Sequence, residues 1–233
     1  VGMVAIALST VMLPHLSRLS LCEDRDGFNR LMNWGVLVGL GLGLPAGIGL
    51  YFLSTPLIAT LFMSFEGGAM TTYDVMMASA ALEMFAVALP GFVLVRVLSA
   101  GFFAKKNTRQ PFRYAAAAVA VNLIGSLLTY RWLGHVGLAL ATALSAWTNV
   151  FLLYFGMRRH EISEMRIFSR SLLKIYFLSV VLAVVLWVCN PGADFWLDMG
   201  ALERSIGLIG IVLGVIGLYG VSLFFLGFRL LVY

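Results

Sequence analysis

Two ionisable side chains stand inside one long apolar stretch of this chain, Glu83 and Arg96, and they are the first candidates for chemistry. Ionisable groups within membrane-length segments usually face a wet cavity or a bundle interior and mark a pathway. Thirteen residues of helix separate them by about 20 Å, so they cannot pair with each other. Arg96 suits an anionic headgroup, because a guanidinium grips phosphate through two parallel N–H bonds. The alternative is a side chain that snorkels to the nearer membrane surface. Glu83 lies nearer the other end, where interfacial exposure competes with a place on a pathway. Pro90 and Gly91, between the two, predict a kink of the kind found in a broken helix lining a cavity.

A second set is neutral. Asn122, Ser126 and Thr129 recur at helical spacing on one apolar segment, and Thr142, Ser145 and Asn149 on the next. Amides and hydroxyls at membrane depth need partners, and hydrogen bonds between the two helices would supply them at about 0.6 kcal/mol each. The sharper reading is a polar cavity or a small cation site, which needs oxygen ligands from both helices and a carboxylate from elsewhere. Neither stripe carries a carboxylate. His15, His135 and His160 fall at helix ends with no second histidine at metal-binding spacing, and two cysteines exclude a multi-thiolate site. No metal and no cofactor is expected.

The elements that must position these residues are membrane spans. Of 233 residues, 61% are hydrophobic and 12% charged, against roughly 45–50% and ~25% in soluble domains. That excludes a water-soluble globule, and it excludes a disordered chain, which needs low hydrophobicity. A spanning helix takes about 20 mostly apolar residues. Seven segments qualify or nearly do: 1–16, which reads as truncated, then 31–62, 74–104, 112–133, 136–157, 171–190 and 204–228. The expected fold class is therefore all-α, a polytopic transmembrane bundle of about seven spans.

Charge orients the spans. Arg18, Arg25 and Arg30 lie between the first and second, Lys105, Lys106, Arg109 and Arg113 between the third and fourth, and Arg158, Arg159, Arg166, Arg170 and Lys174 between the fifth and sixth. The intervening loops are nearly bare; the last holds only Arg204, beside Asp194, Asp198 and Glu203. By the positive-inside rule this alternation puts the three basic loops and the C-terminus in the cytoplasm. The net charge of +5 is thus topological, and no nucleic-acid partner is expected, since no basic stripe with interleaved aromatics lies outside those loops.

In the second span Gly35, Gly39, Gly43 and Gly47 recur every four residues, a stripe that lets another backbone approach. Pro45, with Gly41 and Gly49, predicts a break in mid-span, since proline removes one backbone hydrogen bond. The stripe is either static packing or part of a bend that changes during transport. The last span repeats the small-residue theme and shows no polar group able to touch a solute. The chain opens with Val1 inside an apolar run, with neither the basic region nor the cleavage site of a secretory signal. It reads as the carboxyl part of a longer polytopic protein: 1–158 a lobe of a transporter core with five spans, the first partial, and 159–233 a basic linker with two further spans.

Specific strings sharpen this. "ALSTVMLPHLSR" (7–18), "DGFNRLMNWG" (26–35), "LPGFVLVRVLSAGFFAKKNTRQPFR" (89–113) and "GHVGLALATALSAWTN" (134–149) resemble the carboxyl half of the MurJ (MviN) lipid II flippases, within the multidrug/oligosaccharidyl-lipid/polysaccharide exporter superfamily. The resemblance implies a fold of about fourteen helices: two six-helix lobes around a cationic cavity, plus two tail helices that form a groove for a polyprenyl chain. It implies transport of lipid II, the undecaprenyl-linked peptidoglycan precursor, from the inner to the outer leaflet of the bacterial cytoplasmic (inner) membrane by alternating access. It implies as partners lipid II or a related polyprenyl-linked saccharide, membrane lipid, and a missing amino-terminal lobe of the same protein. Arg96 falls where that family usually has Lys, Ala100 where it usually has Pro, and the outer loop "FMSFEGGAMTTYD" (62–74) departs from the usual form.

Three other readings compete. One is export of a different polyprenyl-linked saccharide, and another is a scaffold lobe that does not transport. The third is a polyprenyl-phosphate transferase, for which the only close acidic group, Glu23, Asp24 and Asp26, lacks a second cluster facing it. An enzyme is not expected.

Overall fold

The computed structural model describes residues 2–63, 70–163 and 169–225, without the side chains of Arg170, Phe224 and Phe225. Arg166 and residues 64–69 of the 62–74 loop lie outside the described residues. The chain is helical: α1 Gly2–Leu21, α2 Arg25–Phe52, α3 Ser54–Phe62, α4 Thr72–Ala104, α5 Arg109–Arg159, α6 Arg170–Cys189, α7 Ala193–Asp198 and α8 Ala201–Phe225. Six of these are long and apolar enough to cross a membrane. One of the six is α5, whose 51 residues would reach about 76 Å as a single rod, more than twice the hydrocarbon thickness. It is instead folded back at Gly134, whose φ of 56° and ψ of −132° lie outside the helical region. Three bonds join the limbs in antiparallel register, from Asn122 to Thr142, from Ser145 to the Ala118 carbonyl and from Thr129 to the Gly137 carbonyl. The fold-back leaves 109–133 and 135–159 as two separate limbs of equal length.

Several boundaries differ from the sequence expectation, each for a local reason. Helix α2 starts at Arg25 rather than 31 because the Asp24 carboxylate caps it, accepting from the Gly27 N–H at 2.8 Å. The span expected over 31–62 is two helices that meet at Leu53. The expected mid-span break at Pro45 is absent, and α2 is helical through to Phe52. Helix α4 likewise runs through Pro90, and starts on a reciprocal Thr71–Asp74 capping box. The short α7 was not anticipated.

With no water to expel between helices in lipid, close packing must hold the bundle together, and small residues permit it. The stripe on α2 faces α4: a Cβ on Gly35 or Gly39 would meet Val97 or Val93, and one on Gly43 would stand 3.3 Å from the Pro90 Cα. At Gly47 it would lie 2.8 Å from the backbone oxygen of Ala86. Gly91 packs on Ala146 of α5 in the same way. Around this seam the largest buried side chains, including Met12, Leu16, Met32, Phe102, Leu153 and Met157, form one core, and Leu178, Leu182, Leu186 and Tyr219 form a second between α6 and α8.

The basic loops gather at one end. Lys105 lies 5.3 Å from the Phe28 ring centroid and borders a cleft with Glu23, Asp24 and Arg25, and Ser163 donates to Asn29 at 2.7 Å. Tyr73, Tyr130, Trp132 and Trp187 are exposed towards the other end, where interfacial aromatics belong.

Candidate functional site

A cavity of about 790 Å³ opens between α1, α4 and both limbs of α5. Most of its wall is aliphatic, Phe or Ala, and a single cation, Arg96, enters it. Arg96 is exposed to the cavity while the next turn of α4 on its other face, Val97 and Leu98, is buried against α2 and the core. The helix therefore holds Arg96 at the cavity wall through well-packed neighbours. Around it stand Ser9 and Thr10 of α1, Ser99 one turn along α4, and Thr142, Ser145 and Asn149 of the second α5 limb. Asn149 leaves its Oδ1 oxygen with no hydrogen-bond partner, an acceptor still available to a ligand donor. Ala100 also lines the wall and is almost fully buried.

The structure divides the two polar stripes. Thr142, Ser145 and Asn149 reach the cavity, whereas Asn122 and Ser126 do not line it. Asn122 donates to the Thr142 hydroxyl at 3.1 Å and accepts from Ser126 at 3.4 Å. Ser145 donates to the Ala118 carbonyl at 2.6 Å. Most of this polarity ties one limb to the other, and no carboxylate lines the cavity.

Glu83 is elsewhere. It accepts from Ser54 Oγ, at the first turn of α3, at 3.1 Å, and it does not border the Arg96 cavity. Of the predicted kink residues, Pro90 and Gly91 pack against α2 and α5 respectively, and Trp147 donates to the carbonyl of Val87 beside Pro90 at 3.0 Å.

A second cavity, about 540 Å³, lies between α2, α3 and α8 and is lined almost wholly by aliphatic side chains, with Pro45, Gly49, Leu53, Val215 and Tyr219 among them. Sequence reasoning missed Tyr219, because one tyrosine in an apolar helix reads as packing. It also missed Ser9, Thr10 and Ser99; the spacing of Ser99 three residues after Arg96 was the one available signal. Arg204, expected in a loop, is instead 4% exposed in the first turn of α8. It donates to the carbonyls of Ala59, Leu197 and Met199 at 3.1, 3.2 and 2.8 Å.

Taken together these features describe a polytopic helical membrane protein whose described residues include a membrane-depth cavity with Arg96 on its wall and a second cavity that is almost wholly apolar. The family model described as lipid II flippase MurJ matches residues 1–202, and the chain belongs to that family. A Vibrio cholerae protein named as a probable lipid II flippase MurJ is 34% identical over 237 residues, which cover 98% of this chain and 43% of that one. The Burkholderia cenocepacia lipid II flippase MurJ is 29% identical, covering 98% of this chain and 44% of its own length. A solved structure titled as the inward closed conformation of lipid II flippase MurJ superposes with a TM-score of 0.73 at 28% identity, over 94% of this chain and 42% of that one. The chain thus spans less than half the length of the relatives it matches.

Proposed function

We propose that this chain supplies the carboxyl-terminal lobe and tail helices of a lipid II flippase, which moves undecaprenyl-linked peptidoglycan precursor from the inner to the outer leaflet by alternating access. The observation that carries the reading is the placement of Arg96 as the one cation on the wall of a cavity large enough for a polar headgroup. A guanidinium there would meet the diphosphate through charge-assisted bonds, with Thr142, Ser145 and Asn149 offering hydrogen bonds to its polar substituents. The apolar cavity along α8 would receive part of the polyprenyl chain. Residues 1–158 would belong to the transporter core, and 159–233 to the linker and the groove. The basic end of the bundle and the C-terminus would face the cytoplasm, in the bacterial inner membrane.

The full-length protein tests this by complementing cells depleted of their lipid II flippase, with lipid II exposed on the outer leaflet as the readout. Arg96→Ala is expected to lower exposure about tenfold or more, Arg96→Lys to retain much of it, and Arg159→Ala, at the basic end, to leave it unchanged. Equal tolerance of Arg96→Ala and Arg159→Ala would remove Arg96 from the pathway.

A further inference from the structure

Prolines stand within α2, α3 and α4 without ending them, and each one deprives the carbonyl four residues earlier of its helical donor. In hydrocarbon such a carbonyl must find another partner. Pro45 vacates the oxygen of Gly41, which accepts instead from the Tyr219 hydroxyl of α8 at 2.8 Å. Pro56 vacates the oxygen of Phe52, which accepts from the side-chain amide of Asn190, just past α6, at 2.8 Å. Asn190 is itself fixed, accepting from Trp196 Nε1 at 2.9 Å. Pro90 differs, because its vacated oxygen, on Ala86, is closely approached by Gly47 of the neighbouring core helix. The two vacated carbonyls along α2 and its junction with α3 are therefore both taken by donors from the tail elements.

We infer that the tail helices are docked on the core along a proline-programmed seam, in which Tyr219 and Asn190 are positioning residues, and that Tyr219 thereby sets the width of the apolar cavity. Tyr219 and Pro45 both line that cavity, and Tyr219 is 7% exposed, so the bond forms at its inner wall. The seam explains why α2 stays helical through Pro45. It also gives an apolar helix, α8, a fixed register on its partner, which greasy side chains alone do not supply. The role of the seam in holding a lipid chain rests on the reading of the apolar cavity proposed above; the seam does not.

The test is a mutant cycle in the full chain, without native cysteines, in lipid nanodiscs, with spin labels at Tyr51 of α2 and Leu213 of α8. Tyr219→Phe is expected to broaden the α2–α8 distance distribution about twofold. In a Pro45→Ala background, where a new N–H refills the Gly41 carbonyl, Tyr219→Phe should add no further broadening. An equal increment in both backgrounds, or none in the native one, would overturn the inference. If Tyr219→Phe does not fold, Asn190→Ala with and without Pro56→Ala gives the same comparison at the second carbonyl. A photoactivatable long-chain polyprenyl phosphate then reads the cavity: labelling of α8 should fall about fivefold in Tyr219→Phe, with that by a ten-carbon analogue unchanged. An intact distance cycle with no labelling of native α8 supports the seam and sinks the lipid-chain reading instead.

Discussion

The two cavities are built by opposite means. The one at Arg96 takes its character from side chains: a guanidinium, three hydroxyls and amides of one α5 limb, and a second limb fastened by the Asn122–Thr142 bond. The one along α8 takes its shape from backbone, since its walls are aliphatic and its outer elements hang on carbonyls of Gly41, Phe52 and Ala59. Helices α2 and α4 form the partition. Val93 of α4 borders the polar cavity and packs against Gly39 and Gly43, while Pro45 and Gly49 of α2 border the apolar one. A headgroup region needs chemical identity and a chain region needs only a conformable slot, so changes of residue type should hurt the first and changes of backbone pairing the second.

The largest effect on stability is expected at Arg204, on the apolar side. Its guanidinium joins the end of α3, the end of α7 and the start of α8. Hydrogen bonds to a charged group contribute about 1.5–3 kcal/mol, and a buried arginine replaced by alanine also leaves a void. Arg204→Ala should cost about 3 kcal/mol and lower the detergent melting temperature of the full chain by several degrees, with Arg204→Lys recovering only part, since one ammonium cannot reach three carbonyls in the same plane. A melting temperature unchanged by Arg204→Ala would mean that α8 docks through its apolar face alone.

Next in size is the partition. Gly47→Ala puts a methyl 2.8 Å from the Ala86 oxygen, a backbone atom unable to swing aside, so overpacking should cost about 1–3 kcal/mol. Gly49→Ala, half a turn on, meets nothing within 4 Å and should be neutral or slightly stabilising. Thermal unfolding of the pair checks this, and similar behaviour of the two would show that α2 and α4 are less closely applied than described. On the polar side, Asn122→Ala removes one bond between limbs and should cost only about 0.6 kcal/mol. Asn149→Ala should leave stability alone and lower lipid II exposure severalfold; the reverse ranking would exchange their roles.

These contrasts also explain what the sequence made legible. Spans and their alternation follow from hydropathy and from Lys and Arg, quantities written one residue at a time, and the folded basic loops do meet at one end. Arg96 stood out because a charge in an apolar stretch is rare. Glu83 stood out equally, yet what it touches depends on where α3 begins, and that depends on the break at Leu53. The Pro45 break was expected because a proline in sequence announces a lost hydrogen bond but not its replacement, here a tyrosine far along the chain. Arg204 falls in sequence at the edge of the last apolar segment, beside three acidic residues; the carbonyls that bury it come from α3 and α7, which sequence periodicity did not separate from their surroundings.

The smallest effect expected is at the basic end, which both regions share. Lys105 caps α4, and partial burial first, then the neighbouring Arg25, hold its amine below the usual lysine range. The Phe28 ring beneath it offsets part of this cost. Because the folded form binds this proton less tightly than the unfolded chain, whose value is near 10.5, the charge is carried at a small cost at neutral pH. That cost disappears as pH rises from the lowered folded value towards the unfolded one, so stability gains across that alkaline window. Lys105→Met, with Lys106 and Arg109 left to keep the loop basic, should therefore raise the melting temperature of the full chain slightly at neutral pH. Its advantage over the native protein should shrink as pH approaches that of the free amine. An advantage that grows with pH would reverse the sign and make the ring contact, not burial, the dominant influence on Lys105.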